Sequence, residues 1–237
     1  MENNENQLPK KPKPAKPKGL PIQQLATKQY ADIKTLTPEF KACFGDIDEA
    51  FDIIFFGDSS NGKTNAVAAF IDQLLSIFPG AKCNYISYEE GHGKTMRELL
   101  VHRFKLNEKH GNCLTLYENY SYEQLQYYIG RKQTAKIWVF DSIQASGLSY
   151  DDIAALKKKY VMGKAKKIFI FISWADGKLP AGATAKAVRY YANIKVRVEG
   201  FIGFIRSRYG TQKNYVVWEE GAKQYWLKRF KKMLIKK

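Results

Sequence analysis

The residues that most plainly predict chemistry are eight consecutive ones, Gly57, Asp58, Ser59, Ser60, Asn61, Gly62, Lys63 and Thr64. They fit the pattern G-x-x-x-x-G-K-[ST] at every fixed position, between an apolar run and a segment with helical periodicity. Glycines let backbone N–H groups wrap around phosphates, and a helix N-terminus adds positive partial charge. The pattern predicts a loop that binds ATP, in which Lys63 contacts the β- and γ-phosphates and Thr64 ligates Mg²⁺.

Acidic residues follow two other apolar runs. Asp141 ends the run 137–140, where its carboxylate can hold the water shell of a magnesium ion at the loop. Glu89 and Glu90 follow the run 83–87, and a carboxylate there can accept a proton from an attacking water. The alternative is that these acids only begin helices. A second Gly-Lys-Thr, at 93–95, lacks the glycine that the pattern requires five positions before Gly93 and is interpreted as a loop and helix start.

The elements that must position these residues alternate along the chain. Apolar runs typical of strands buried on both faces occur at 51–56, 83–87, 113–117, 137–140 and 167–173. Helical patterns follow the first four runs, at 63–77, 96–104, 122–131 and 150–161. Three shorter runs, 194–198, 201–208 and 215–218, are then separated by hairpin-like turns. This order predicts an α/β fold, a mainly parallel sheet flanked by helices with an antiparallel C-terminal edge.

The positive charge is concentrated at the two ends of the chain. Of a net charge of +16, residues 1–19 hold five Lys and two Glu, and residues 222–237 hold seven Lys or Arg and no acid. We expect a disordered basic arm at 1–19, an ATPase domain at 20–221 and a basic C-terminal helix at 222–237. Basic ends on a nearly neutral core indicate a polyanionic partner such as nucleic acid; the alternative is that they only improve solubility.

Composition argues against several other classes. No apolar run is long enough for a membrane span, and the N-terminus lacks the pattern of a secretion signal, so we expect a cytoplasmic protein without a membrane partner. Cys43, Cys83 and Cys113 are far apart and show no CxxC spacing. We therefore expect no zinc site and no disulfide framework, but three buried thiols.

Taken together, the motifs resemble the RecA-like core ATPases, nearest the bacterial RadA group. The resemblance covers about residues 51–218 and rests on the phosphate loop and on the segments 85–90, 137–144, 173–177, 181–182 and 206–210. It implies that Glu89 activates water, that Asp141 is the Walker B acid and that Ser173 occupies the γ-phosphate sensor position. It also implies that Arg206 and Arg208 reach the nucleotide of a neighbouring subunit, and therefore a homo-oligomer, ring or filament.

The sequence departs from that family at several points. Ser173 is shorter than the usual Gln or His, and Arg206 replaces a Lys, which keeps the charge but changes the geometry. The zinc module and the protease-like domain of RadA proteins have no counterpart here, and the chain corresponds in size to the minimal cores of phage and mobile-element proteins. In this family, DNA binds two loops, here 144–149 and 174–187. The candidates in and beside the second loop are Trp174 for base stacking and Lys178, Lys186 and Arg189 for phosphates.

The function expected from this reasoning is a DNA-dependent ATPase that acts on single-stranded DNA in recombination or repair. Two alternatives stay open: a helicase or helicase loader of a phage or mobile element, and an ATP-switched DNA-binding assembly protein with negligible turnover. A small-molecule kinase is disfavoured because the sequence offers no Arg-rich lid.

Overall fold

The computed structural model describes residues 19–29, 33 and 35–235, which fall into two compact units. The smaller, 19–29, contains helix α1 (Ile22–Ala26), which buries none of its residues. The larger contains everything from residue 33 onward. This division comes later in the chain than the expected boundary between 19 and 20. The expected arm, 1–19, lies outside the described residues except for Gly19.

The larger unit alternates strands and helices in the expected order. Four segments are not regular α-helix: π-helical turns at Glu98–Arg103 and Lys157–Val161, and 3-10 turns at Gly111–Cys113 and Leu227–Arg229. The other elements are α2 (Pro38–Phe44), β1 (Asp52–Gly57), α3 (Lys63–Ile77), β2 (Cys83–Ser87), α4 (Lys94–Arg97), α5 (Leu106–His110), β3 (Leu114–Tyr117), α6 (Tyr122–Gly130), β4 (Ile137–Asp141), α7 (Tyr150–Leu156), β5 (Ile168–Asp176), β6 (Leu179–Pro180), α8 (Ala183–Tyr191), β7 (Ile194–Glu199), β8 (Ile202–Ser207), β9 (Tyr215–Val216), α9 (Glu219–Trp226) and α10 (Phe230–Leu234).

One sheet organises these elements, with strand order β3-β2-β4-β5-β1-β7-β8-β9 and β6 paired to β5. All neighbours from β3 to β7 are parallel, whereas β8 and β9 are antiparallel. The predicted fold class is therefore confirmed. The C-terminal ends of the parallel strands all lie on one side of the sheet, and the loops that follow these ends carry the candidate site residues.

Both faces of the sheet are covered. Along β1, Ile53 and Phe55 join the core that packs on α3, whereas Ile54 and Phe56 join the core that packs on α7 and α8. This explains the uninterrupted apolar runs at 53–56 in β1, 137–140 in β4 and 168–172 in β5. Of the three cysteines, only Cys83 is buried; Cys43 and Cys113 are half-buried, so the expectation of three buried thiols was wrong for two of them. In the described part of the chain, no helix is long and apolar enough to cross a membrane.

The C-terminal segment differs from the single basic helix expected at 222–237. Helix α9 begins earlier, at Glu219, and ends at Trp226, because Leu227 adopts a positive φ of 48°. A 3-10 turn and the short α10 follow. The helix is interrupted directly after Trp226, a residue held by tertiary contacts. The Trp226 indole N–H donates to the Gly200 carbonyl at 3.1 Å, and its ring packs edge-on against Phe204. This tertiary contact overrides the local helical pattern.

Candidate active site

The phosphate loop leaves β1 at Gly57 and enters α3 at Lys63. A Cβ at Gly57 would lie 2.1 Å from the Val198 carbonyl oxygen, so the backbones of β1 and β7 approach closely there. Gly62 has φ of +90°, and a Cβ there would meet the Phe201 ring at 2.9 Å. The glycines at both ends of the loop are therefore required by the fold, as a cradle of free backbone N–H groups also requires.

The turn between β7 and β8 holds the loop in place. Gly200 N donates to Asn61 Oδ1 at 2.8 Å, and Phe201 N donates to the Asn61 carbonyl at 3.3 Å. Phe201 in turn packs edge-on against Trp218, with ring centroids 5.0 Å apart. Together with the bond from Trp226 to Gly200, these contacts connect α9 to the phosphate loop. No sequence pattern predicts this link, because it joins segments about 140 residues apart.

A cavity of about 660 Å³ opens above the loop and gathers charged groups from three parts of the chain. Lys63 lies at its floor and donates from Nζ to the Asp58 carbonyl at 2.8 Å. Burial lowers the pKa of Lys63, while the carboxylates of Asp141, Asp58 and Glu89 raise it. The other residues of the cavity wall include Gly57, Ser59, Ser60, Gly62, Thr64, Glu90, Trp174 and Phe201.

Asp141 lies at the end of β4 and faces the cavity. Strand β5 lies between β4 and β1, so Asp141 is one strand removed from the strand that leads into the phosphate loop. The Tyr85 hydroxyl on β2 donates to Asp141 Oδ2 at 2.5 Å. Burial raises the pKa of Asp141 to about 6; the Tyr85 bond and Lys63 lower it, and Glu89 and Glu90 raise it. A carboxyl group whose charge is costly to bury is ready to interact with a cation.

Glu89 is held by two donors, one just after β4 and one in β5. The Ser142 hydroxyl and the Trp174 indole N–H both donate to Glu89 Oε1, the latter at 2.8 Å. Glu89 and Asp141 thus line the same cavity, as expected if one acts on water and the other on a metal ion. Neither hydrogen bond was expected from the sequence.

Ser173 does not line this cavity. Its side chain is 0 % exposed, and its hydroxyl donates to the Trp174 carbonyl at 2.7 Å. Gln144 donates from Nε2 to Ser173 Oγ and to the Ala181 carbonyl, each at 2.8 Å. The long polar side chain beside Ser173 is therefore Gln144. From the sequence, Gln144 is predicted only as the first residue of the loop 144–149.

Arg206 and Arg208 lie at the far end of the sheet from the phosphate loop. The strand β8 runs antiparallel to β7, so Arg206 pairs with Lys195 near the start of β7. The backbone N–H of Arg208 donates to the Asn193 carbonyl, and both arginines are exposed. Neither can reach the nucleotide cavity of its own subunit.

The four DNA-binding candidates differ in exposure and in their contacts. Trp174 is 48 % exposed at the rim of the cavity. Lys178 is exposed in the turn between β5 and β6, and Lys186 on α8 forms an ion pair with Asp176 at 3.8 Å. Arg189 lies over the Phe56 ring at 5.6 Å, and its Nε is buried without a hydrogen-bond partner.

A second cavity of about 450 Å³ adjoins the first and shares Phe201 and Asn65 with it. Its walls are the aromatic rings of Phe104, Phe201 and Trp218 together with Arg103. Arg103 donates to Asn65 Oδ1 at 2.6 Å, which fixes the guanidinium beside the first turn of α3.

The phosphate-loop cavity also offers oxygen ligands for a metal ion. Among the described residues, no group of three or more His, Cys, Asp or Glu side chains could hold a metal by itself. Mg²⁺ is usually bound by one or two protein groups together with phosphates and water. The Thr64 hydroxyl and the Asp141 carboxylate, both facing the phosphate-loop cavity, fit that arrangement.

Comparisons with known proteins give the fold. No family model matches the chain, and no curated protein matches it significantly. Two similar solved structures are the flagellar accessory protein FlaH of Methanocaldococcus jannaschii (TM-score 0.57, 19% identity) and a KaiC-like protein of Pyrococcus horikoshii OT3 (TM-score 0.57, 20% identity). Each alignment covers 78% of this chain. The alignments cover 93% of FlaH and 94% of the KaiC-like protein. The chain has a RecA-like P-loop fold; membership of the RadA subgroup stays a prediction.

Proposed function

We propose that this protein is a magnesium-dependent ATPase. The observation that carries the proposal is the single cavity that gathers Lys63 and Thr64 from the phosphate loop, Asp141 from the end of β4 and Glu89 from the loop after β2. These residues come from three separate segments, and the RecA-like topology brings the C-terminal ends of β1, β2 and β4 to the same side of the sheet. A glycine-rich turn without a catalytic role would not need these partners.

The chain supplies four actions in this site. Backbone N–H groups of 58–63 and the start of α3 hold the phosphates, and Lys63 adds a positive charge to them. Thr64 and Asp141 hold the magnesium ion, which neutralises charge on the phosphates. Glu89 orients the attacking water and accepts its proton. The second cavity, between Arg103 and the rings of Phe201 and Trp218, takes the adenine base by stacking.

The proposal extends to single-stranded DNA through Trp174. This residue contacts Glu89 in the structure and also stands in the loop expected to bind DNA. A base that stacks on the exposed Trp174 ring would draw the indole N–H away from Glu89 and free the carboxylate for water. DNA would then stimulate hydrolysis, which is the behaviour expected of a DNA-dependent ATPase in recombination or repair.

Assembly completes the proposed site. Arg206 and Arg208 are exposed at the end of the sheet opposite the phosphate loop. In a ring or filament they would face the nucleotide of the next subunit. Cations supplied by a neighbouring subunit accelerate phosphoryl transfer by about 10³–10⁵-fold. Turnover should therefore depend on protein concentration.

Phosphate release from Mg·ATP, with and without single-stranded DNA and across protein concentrations, tests the proposal. We expect a low basal rate that rises with DNA and rises more steeply than linearly with protein. A rate that ignores both DNA and concentration would contradict the DNA-dependent, assembled enzyme. Unwinding of a tailed duplex would identify the helicase alternative.

One observation favours the second candidate, an ATP-switched assembly protein. Ser173, at the sensor position, lies outside the cavity, and Glu89 is already bound by two donors. If ATP drives assembly on DNA but phosphate release stays at background, this candidate replaces the first.

A further inference from the structure

The end of the sheet opposite the phosphate loop is strongly basic. A lysine immediately precedes each of three neighbouring parallel strands: Lys82 before β2, Lys136 before β4 and Lys167 before β5. Because these strands are parallel and adjacent, the three lysines lie side by side at the N-terminal ends of the strands. Lys136 donates from Nζ to the Lys166 carbonyl at 3.2 Å, and Lys167 donates to the Ala135 carbonyl at 2.8 Å.

Two connecting segments add to this edge. Residues 131–136, after α6, and 157–167, which include the π-helical turn after α7, together contain nine Lys or Arg and no acid. Tyr160 ties the second segment to α6, since its hydroxyl donates to the Gln126 carbonyl at 2.5 Å, and its own carbonyl accepts from Lys167 N at 2.9 Å. We call Lys82 and these two segments the basic end.

The basic end holds the whole positive excess of the folded domain. Outside the two segments, residues 20–221 contain 18 Lys or Arg against 21 Asp or Glu, a net negative charge. Seven of its cations are exposed, and among the described residues only one of these, Lys166, has an acidic partner, Glu49 at 3.6 Å. The exposed cations are Lys82, Arg131, Lys132, Lys158, Lys159, Lys164 and Lys166. Mutual repulsion makes such a cluster unfavourable unless an anion covers it.

A groove of about 670 Å³ crosses this surface between the turns 77–82 and 133–136. Its wall combines the cations of Lys82 and Lys136 with the polar Gln133 and Thr134, and Lys136 lies over the Phe78 ring at 4.7 Å. Cations flanking an open, polar groove match a phosphodiester backbone. A membrane surface fits less well, because Met162 is the one large apolar side chain exposed within the two segments.

We propose that the basic end is a nucleic-acid-binding surface that contacts the phosphate backbone independently of ATP. It is separate from Trp174, which lies near the opposite end of β5. A nucleic acid held there would keep DNA near the protein whether or not the nucleotide site is filled.

The test compares two triple variants of the full chain with the same change in net charge. One is Lys132→Glu, Lys158→Glu and Lys164→Glu, at exposed basic-end positions with no ion pair among the described residues. The control is Lys94→Glu, Arg97→Glu and Lys213→Glu, at exposed positions elsewhere. Binding of a labelled 30-nucleotide single strand and of a duplex is measured without ATP, across salt concentrations. Circular dichroism verifies that each variant is folded, and the Lys→Gln triple replaces any that is not.

The proposal predicts that the basic-end variant loses at least about tenfold in affinity and that its salt slope for the single strand falls by about 2, since each phosphate contact contributes about 0.7. The control should lose much less. An equal loss in both variants would mean that net charge alone acts and would overturn the proposal. Unchanged DNA binding by the basic-end variant would also overturn the proposal. That holds equally if this variant instead loses binding to anionic phospholipid vesicles or changes its self-association. ATP turnover without DNA should be equal in the two variants, so this test is independent of the ATPase assignment.

Discussion

At the scale of single residues, the bond between Trp174 and Glu89 is the feature that most directly affects chemistry. A carboxylate oxygen that accepts hydrogen bonds from both Ser142 and Trp174 has less capacity left to bind a water than one facing solvent. Releasing one donor should therefore let Glu89 hold the attacking water better. The proposed regulatory contact thus lies on the proposed catalytic group itself.

Trp174→Phe tests this contact, because it keeps an aromatic ring and removes the N–H donor. We expect basal ATP turnover to rise severalfold and stimulation by single-stranded DNA to shrink by a similar factor. Steady-state phosphate release measures both. Tyr190→Phe, a conservative change at another exposed aromatic residue, is the control and should change neither. An unaltered basal rate in Trp174→Phe would show that the indole does not restrain Glu89.

The buried Asp141 carboxylate should lower the stability of the folded protein, although the proposed activity requires it. Its pKa rises from 3.8 to about 6 in the folded protein, so the folded state holds this proton more tightly than the unfolded state. The group therefore lowers stability as pH rises from about 4 to 6, and the penalty remains above that range. In EDTA at pH 8, Asp141→Asn should raise Tm by a few degrees, since about 1 kcal/mol corresponds to roughly 2–4 °C.

At pH 4 the same substitution should bring no gain, because Asp141 is then protonated in both states. Scanning calorimetry at the two pH values measures the difference. Mg·ATP should in turn raise Tm less in the variant than in the wild type, as expected if Asp141 holds the metal. Equal Tm values for both proteins at pH 8 would contradict the burial argument.

The sequence predicted the residue-scale site only where the signal was local. The phosphate loop was recognisable because its spacing reflects one turn, and Asp141 because a charge ended an apolar run. The burial of Ser173 and the placement of Gln144 beside it depend on how two loops pack, which no spacing records. The roles of Ser173 and of the four DNA-binding candidates stay predictions.

At the scale of elements, the phosphate loop depends on α9. The contacts run from Trp226 to Gly200 and from Gly200 and Phe201 to Asn61. A C-terminal helix read from the sequence as a basic appendage is therefore part of the frame of the nucleotide site.

Trp226→Ala should weaken both the fold and ATP binding. A half-buried tryptophan that is truncated costs about 1–2 kcal/mol, or roughly 2–8 °C in Tm for a domain of this size. We also expect ATP affinity to fall severalfold, as measured by titration calorimetry below the melting range. Lys228→Ala, at an exposed position two residues away, should alter neither. If Trp226→Ala binds ATP normally, α9 does not support the loop.

The elements themselves were largely predictable. Strands buried on both faces produce uninterrupted apolar runs, and α3 matched its predicted bounds, Lys63–Ile77, because its start and its stop at Pro79 and Gly80 are both local. The end of α9 was not predictable, since the positive φ of Leu227 follows from the anchor at Trp226. Strand order, in which β5 lies between β4 and β1, was not predictable either, because it depends on pairing between segments far apart in the chain.

At the scale of the whole molecule, the two ends of the sheet have different characters. One edge carries the nucleotide cavity, and the other carries Arg206, Arg208 and the basic end. Arginines that cannot reach their own cavity have a catalytic use only when another subunit supplies the nucleotide. The proposal that turnover needs assembly follows from this polarity.

Mixing two inactive variants tests the shared site. Arg208→Ala and Glu89→Gln should each bind ATP but lose turnover, by about 10³-fold or more for the arginine. A mixture should regain activity, because one interface can pair an intact Glu89 with an intact Arg208. Recovery should appear only at concentrations where the protein assembles. A mixture that stays inactive although mixed assemblies form would contradict the trans arrangement, as would normal turnover by Arg208→Ala.

The central claim, that the phosphate-loop cavity hydrolyses ATP, is tested most directly by phosphate release from Mg·ATP by the wild type, by Lys63→Ala and by Lys94→Ala. Lys94 belongs to the second Gly-Lys-Thr of the chain and is the matched control. The account predicts that Lys63→Ala, while still folded, loses at least about 10²-fold in rate, as expected for removal of a charge that stabilises the transition state. Lys94→Ala should keep the wild-type rate. Equal rates for all three folded proteins would contradict the claim.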